Sequence, residues 1–234
     1  MVGESKKDKI RDMLKGIELY NPNNLTILLQ YLDEQCADNH YDLEANLTIL
    51  RLYQFRMNTE FGEEESDKDA IKKVIIKILL KALTALPNTD FILCKSLIHP
   101  SLLDEETNND DELKHVLNLH QLLETCNFEE FWTILRTEPA VYLNITGFED
   151  SIRKFICYVV KITYQTMRKD LLGKILGGLD ETQLKYWIKI NEWEEKESDY
   201  VFISNQEELI KSKNIKEKIE FDNVARVVAA YAKQ

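Results

Sequence analysis

Chemistry in a protein needs bases, nucleophiles or metal ligands at particular spacings, so the histidines, acidic runs and cysteines come first. His115 and His120 stand five residues apart, which on a helix turns their side chains roughly 140° away from each other. Two ligands for one metal on one helix need a spacing nearer four. His40 and His99 are isolated in the sequence. There is no HExxH pair, no GxSxG elbow, no GxxxxGK[ST] loop, and the glycines are too scattered for GxGxxG. Carboxylates gather at 63–69 and 104–112, inside polar runs. Acid–base catalysis needs a partly desolvated carboxylate with a perturbed pKa, which a solvated run does not supply. The run DEETNNDDE also lacks the glycine and ligand spacing of an EF-hand. Phe128, Phe131, Trp132, Trp187 and Trp193 fall on buried helix faces or at a strand start, and read as core. Cys36, Cys94, Cys126 and Cys157 have no CxxC spacing and sit in helical stretches among apolar neighbours. They read as free, buried thiols of a reducing, cytoplasmic compartment. These residues predict no catalytic site, no metal and no cofactor, hence a protein that is not an enzyme.

What remains is the set of elements, and Gly147 to Ile203 organises them. Ile152, Phe155, Ile156, Val159, Val160 and Thr163 have the i, i+3, i+4 spacing of one buried helix stripe, in a long helix read over 148–167. A short helix, DLLGKILGG, follows and is stopped by Gly177 and Gly178. Asp180, with Gln183 three residues on, forms a capping signature for a third helix that turns Leu184, Trp187 and Ile188 inward. A polar turn, Glu194 to Asp199, leads into a strand at Tyr200–Ile203. Helix, glycine turn, helix and hairpin is the order of a winged helix.

Many winged helices read nucleic acid, and charge decides against that here. The would-be recognition helix, DETQLKYWIKIN, opens with two acids and offers Lys185 and Lys189. The wing beside it carries Glu192, Glu194, Glu195, Glu197 and Asp199 against Lys196. A groove-reading surface needs clustered Lys and Arg to neutralise phosphates. A protein-docking module fits better than an RNA-binding winged helix.

The whole chain agrees. Its 234 residues can hold one or two domains, and 44% hydrophobic with 30% charged residues is ordinary for a soluble protein. Only 7 Gly and 4 Pro favour helices over many tight turns. No apolar run is long enough to span a membrane, and the start MVGESKKDKIRDM lacks a signal-peptide core. Three sequons, at Asn24, Asn46 and Asn144, read as chance matches in such a chain. The net charge of −11 lies on residues 1–146, while residues 147–234 balance. That balance argues against nucleic acid and anionic membrane as direct ligands of the first part.

Residues 1–146 read as about seven short helices, a helical-repeat domain. The first covers 6–20, with Ile10, Met13, Leu14 and Ile17 inward. Asn21-Pro22 starts the second (Leu25, Leu28, Leu29, Leu32) and Asp42 caps the third (Leu43, Leu47, Leu50, Tyr53). Residues 56–69 read as an exposed loop. Helix four, AIKKVIIKILLKALTAL, is apolar except for Lys72, Lys73, Lys77 and Lys81, which read as one wet edge. Helix five, DFILCKSLI, stops near Pro100. Helix six presents Leu113, Val116, Leu117, His120 and Leu123, and Asn127 with Glu130 caps helix seven. No fixed period links them, yet successive antiparallel pairs of this kind stack as an α-solenoid of the HEAT or tetratricopeptide type. The winged-helix domain covers 147–221 and a C-terminal helix 222–234, where Asp222 caps an apolar stripe of Val224, Val227, Val228 and Tyr231.

A mainly α solenoid capped by a winged helix is the architecture of the PCI module. LKGIELYNPNNL, YDLEANLTILRLYQF, ILLKALTALPNTDFILCKSLI, LLETCNFEEFW, GFEDSIRKFICYVVKITYQ, LDETQLKYW and KNIKEKIEFD resemble the k-subunit family of eukaryotic translation initiation factor 3. The resemblance runs from about residue 14 to 228, and its relatives include subunits of the proteasome lid and the COP9 signalosome. The sequence departs from the family in a longer, more acidic 56–72 and a more acidic 104–112. The resemblance implies a non-catalytic scaffold subunit of the factor that binds the small ribosomal subunit, paired chiefly with the l subunit. The alternative within the same architecture is a subunit of the lid or signalosome. Assembly in the family implies an open winged-helix strand and a bundled tail. Carried onto this chain, these are Val201, Phe202 and Ile203, and Val224, Val227, Val228 and Tyr231.

Overall fold

A computed structural model describes residues 10–57, 65–103, 111–137, 142, 144–196, 199–205 and 221–231. The acidic stretches at 58–64 and 104–110 lie outside the described residues.

Each helix forms where its apolar residues repeat with helical period. The turn Gly16–Tyr20 and the turn Pro22–Asn24 are 3-10. Gly16, at φ +64, interrupts the helix expected over 6–20, though Ile10 is buried as read. Helix α1 (Leu25–Ala37) turns Leu28, Tyr31, Leu32 and Cys36 inward. Helix α2 (Leu43–Met57) starts where the Asp42 carboxylate accepts the Ala45 amide at 3.2 Å, the cap its sequence predicts. Between them the buried side chains of Gln35 and Asn46 exchange hydrogen bonds at 3.1 and 3.3 Å. That pairing meets the requirement that buried amides be satisfied, and it puts the Asn46 sequon out of reach.

Helix α3 (Glu65–Leu83) begins inside the stretch expected to be a loop, and α4 (Asp90–Ser96) follows it. Helix α4 stops ahead of Pro100 as expected, and Pro100 opens a short helix, α5 (Pro100–Leu103), as proline does at a first helical position. Helices α6 (Asp111–Glu124) and α7 (Phe128–Thr137) pair next, and α3 packs on α1, α2, α4 and α6. Consecutive helices therefore lie against one another as stacked pairs, with α3 at the centre. The wet edge predicted for α3 is corrected: Lys73 is exposed, but Lys72 is 7% and Lys81 1% exposed. A side chain one helical turn from another shares its face only roughly, and neighbouring elements cover this part of it.

Helix α8 (Phe148–Thr163) buries Ile152, Phe155, Ile156 and Val160 as expected, together with Phe148 and Cys157. It is shorter than read. Thr166–Arg168 is a strand, β1, invisible to periodicity because three residues carry none. Helices α9 (Lys169–Ile175) and α10 (Glu181–Ile190) come next, then β2 (Glu194–Lys196) and β3 (Tyr200–Phe202). The antiparallel sheet runs β1-β3-β2. Asp180 precedes α10 in extended conformation but makes no side-chain cap bond. A last helix, α11, covers Phe221–Tyr231. The protein is mainly helical with a small three-stranded sheet, the PCI type of helical fold with a winged helix.

Candidate docking interface

The joint between the helix stack and the winged helix is made by the C-terminal end of α9. A helix end leaves backbone carbonyls unsatisfied. Here Trp132 Nε1 donates to the Ile175 carbonyl at 2.8 Å and Arg153 Nε to Leu176 at 3.2 Å, while the Arg136 guanidinium donates to Gly177. The Arg153 guanidinium also lies 5.1 Å from the Trp132 ring centroid and pairs with Glu149 and Asp150. Gly177 sits at φ +100 with the Trp132 ring against it, a place only glycine fills without strain. Sequence reasoning read Trp132 as core, which the structure bears out, but not the distant helix end it bonds. The available signal was the Gly-Gly stop, which marks where polar groups must meet a helix end.

The predicted docking strand stands differently from expectation. Met167 pairs with Val201 on one side and Glu195 with Val201 on the other, so β3 is the central strand and has no open edge. Ile203 continues this pairing by donating its amide to the Gln165 carbonyl at 2.9 Å. Val201 is 0% and Ile203 6% exposed, both core residues, and Phe202 is half-buried under the Lys196 ammonium. The reading of Val201–Ile203 as an open edge is thereby corrected. A strand that closes a hairpin lies in the middle once an earlier strand joins from the other side. Among the described residues the outer strands of the sheet are β1 and β2.

The tail behaves otherwise. Phe221, Val224, Val228 and Tyr231 follow one another at helical spacing and are exposed, from 42% at Val224 to 83% at Phe221. The Val227 side chain lies outside what the structure describes. Four apolar side chains on one exposed helix stripe form a contiguous uncovered patch.

Polar chemistry is muted around the winged helix. Lys185 pairs with Glu181 at 2.7 Å, Lys169 with Glu195 at 2.6 Å and Arg168 with Asp170 at 2.9 Å. Each of these three bases is answered by an acid of the same unit. Burial pushes the Cys94 and Cys157 thiols up to about 12, so both stay protonated and inert. Cys126, expected to be buried, is exposed in the turn after α6, where its φ of 57 fits a helix end. His120 is buried, stacked on Phe91 with centroids 3.8 Å apart, and burial lowers its pKa. Among the described residues no group of three or more His, Cys, Asp and Glu could hold a metal ion. No described helix is long and apolar enough to cross a membrane.

Residues 69–214 match the CSN8/PSMD8/EIF3K family. The chain is 46% identical over 227 residues to eukaryotic translation initiation factor 3 subunit K of Homo sapiens, covering 97% of each. It is 47% identical over 218 residues to the subunit K of Xenopus tropicalis, 93% of each chain. Against that of Aedes aegypti it is 44% identical over 223 residues, 94% of this chain and 92% of the relative.

Proposed function

The chain belongs to the CSN8/PSMD8/EIF3K family, on the side of its translation initiation factor 3 subunits, and from that premise we propose that it is a non-catalytic scaffold. It docks to other subunits of the factor, chiefly the l subunit, and reaches the small ribosomal subunit only through the assembled complex, in the cytoplasm. The observation that carries this reading is the exposed stripe Phe221, Val224, Val228 and Tyr231 on α11. An apolar helix face left open in water is unfavourable, and burying it against helices of neighbouring subunits recovers that free energy. A second contact is edge-to-edge pairing through β1 or β2, whose outer backbone groups can extend the sheet. The interface residues proposed on the tail are therefore Val224, Val227, Val228 and Tyr231. Val201, Phe202 and Ile203 contribute by holding the sheet that presents those edges.

The test uses the full chain expressed in eukaryotic cells, wild type against Val224→Asp with Val228→Asp. A carboxylate buried without a partner at an interface costs about 2–5 kcal/mol, at least ~30-fold in affinity. The double variant should keep the wild-type Tm yet lose initiation factor 3 subunits on affinity purification and mass spectrometry. Normal recovery of those subunits removes α11 from the interface. Recovery of proteasome-lid or signalosome subunits in their place overturns the reading altogether.

A further inference from the structure

The cleft between the helix stack and α8 holds a charge that scaffolding does not use. Lys81, in the last turn of α3, is 1% exposed, and no carboxylate pairs with it among the described residues. It lines a cleft of about 390 Å³ together with Lys154 of α8 and Tyr41. No Asp or Glu lines this cleft, in a chain that carries 41 of them. The Tyr41 hydroxyl oxygen is buried, with Asp90 as its nearby acid, and is closed to the cleft. Burial lowers the pKa of Lys81, the mark of an ammonium short of counter-charge.

A buried cation without a partner is unfavourable, and an anion seated beside it relieves that cost. The wall beyond the two lysines is aromatic, formed by Phe155 and the half-exposed ring of Tyr158. The volume falls within the range of small-ligand sites, larger than a bare oxyanion fills. We propose that this cleft binds a phosphate monoester, its phosphate held by Lys81 and Lys154 and its organic group against Phe155 and Tyr158.

Calorimetry on the full chain with phenyl phosphate and with inorganic phosphate, at matched ionic strength, tests the assignment. Phenyl phosphate should bind more tightly than inorganic phosphate. Lys81→Met should weaken it at least about tenfold, since a hydrogen bond to a charged group is lost. Lys154→Ala, at an exposed position that leaves the fold intact, should weaken it about threefold or more, and carries the test should Lys81→Met fail to fold. Equal affinity of wild type and Lys154→Ala, or no binding of phenyl phosphate by wild type at millimolar concentration, overturns the proposal. So does equal affinity for the two phosphates. A free ester and a phosphorylated side chain share this chemistry. A short phosphotyrosine peptide that binds as well as phenyl phosphate assigns the source to a protein, and one that is excluded assigns it to a small molecule.

Discussion

Gly177 carries the joint between the two parts of the molecule, and its cost of replacement can be compared with that of its neighbour. A Cβ at Gly177 would lie 3.0 Å from the Trp132 ring, at φ +100, whereas one at Gly178 meets nothing closer than 3.8 Å, at φ +67. Left-handed backbone alone costs an ordinary residue about 1–2 kcal/mol. Gly177→Ala adds a clash with a ring that is itself fixed by a hydrogen bond to Ile175, so urea denaturation should show a loss of about 2–4 kcal/mol. Gly178→Ala should lose only the backbone share. Equal losses would mean that the Trp132 ring gives way. A second residue-scale effect concerns pH. His120 is buried against Phe91, and its pKa is lowered chiefly by desolvation, with Glu124 at 3.6 Å opposing. The unfolded chain then binds a proton more readily than the folded one just below about pH 6.5. Stability should fall as pH drops through that window, and thermal melts of His120→Phe should show a shallower fall between pH 7 and 5.5. Trp132 and His120 were both read as facing inward, and both are buried, yet their partners were not legible. Types and spacing place Trp132 and His120 on buried faces, but which ring or carbonyl they meet depends on segments far along the chain.

At the scale of elements, the helices were legible and the sheet was half legible. Ile152, Phe155, Ile156 and Val160 announce α8 because a helix writes its buried face at a period of 3.6 over many residues. A three-residue strand writes nothing comparable, so β1 was absorbed into the end of α8, and β3 was mistaken for an edge. The tail was legible as a stripe, though a stripe alone leaves open whether it is covered. The same substitution should therefore give opposite results at the two places proposed together for docking. Val201 is fully buried between β1 and β2, so Val201→Asp places an unpaired carboxylate in the core and should unfold the winged helix, seen as a lower Tm or loss of soluble protein. Val228 is 61% exposed, and Val228→Asp should leave the Tm of the isolated chain within about a degree, a surface change worth under ~0.5 kcal/mol. A large loss from Val228→Asp would show that α11 packs on its own molecule, and the tail would cease to be a docking element.

At the scale of the whole molecule, charge determines which partners can be held. The chain carries a net charge of −11, and three bases of its winged helix, Lys185, Lys169 and Arg168, are engaged by Glu181, Glu195 and Asp170. Each phosphate contact made by a free lysine or arginine releases counterions and steepens the fall of affinity with salt, by about 0.7 in log K per log salt for single strands. With those three paired and the chain acidic overall, the isolated chain can make few such contacts. Filter binding to single-stranded ribosomal RNA should accordingly stay weaker than about 10⁻⁶ M at physiological salt, in the non-specific range, and change little between 50 and 200 mM. Nanomolar, steeply salt-dependent binding would make the winged helix a reader of RNA. Absent that, the docking proposed for this acidic chain falls to the exposed stripe of α11 and, among the described residues, to the outer edges of β1 and β2, not to a nucleic-acid backbone.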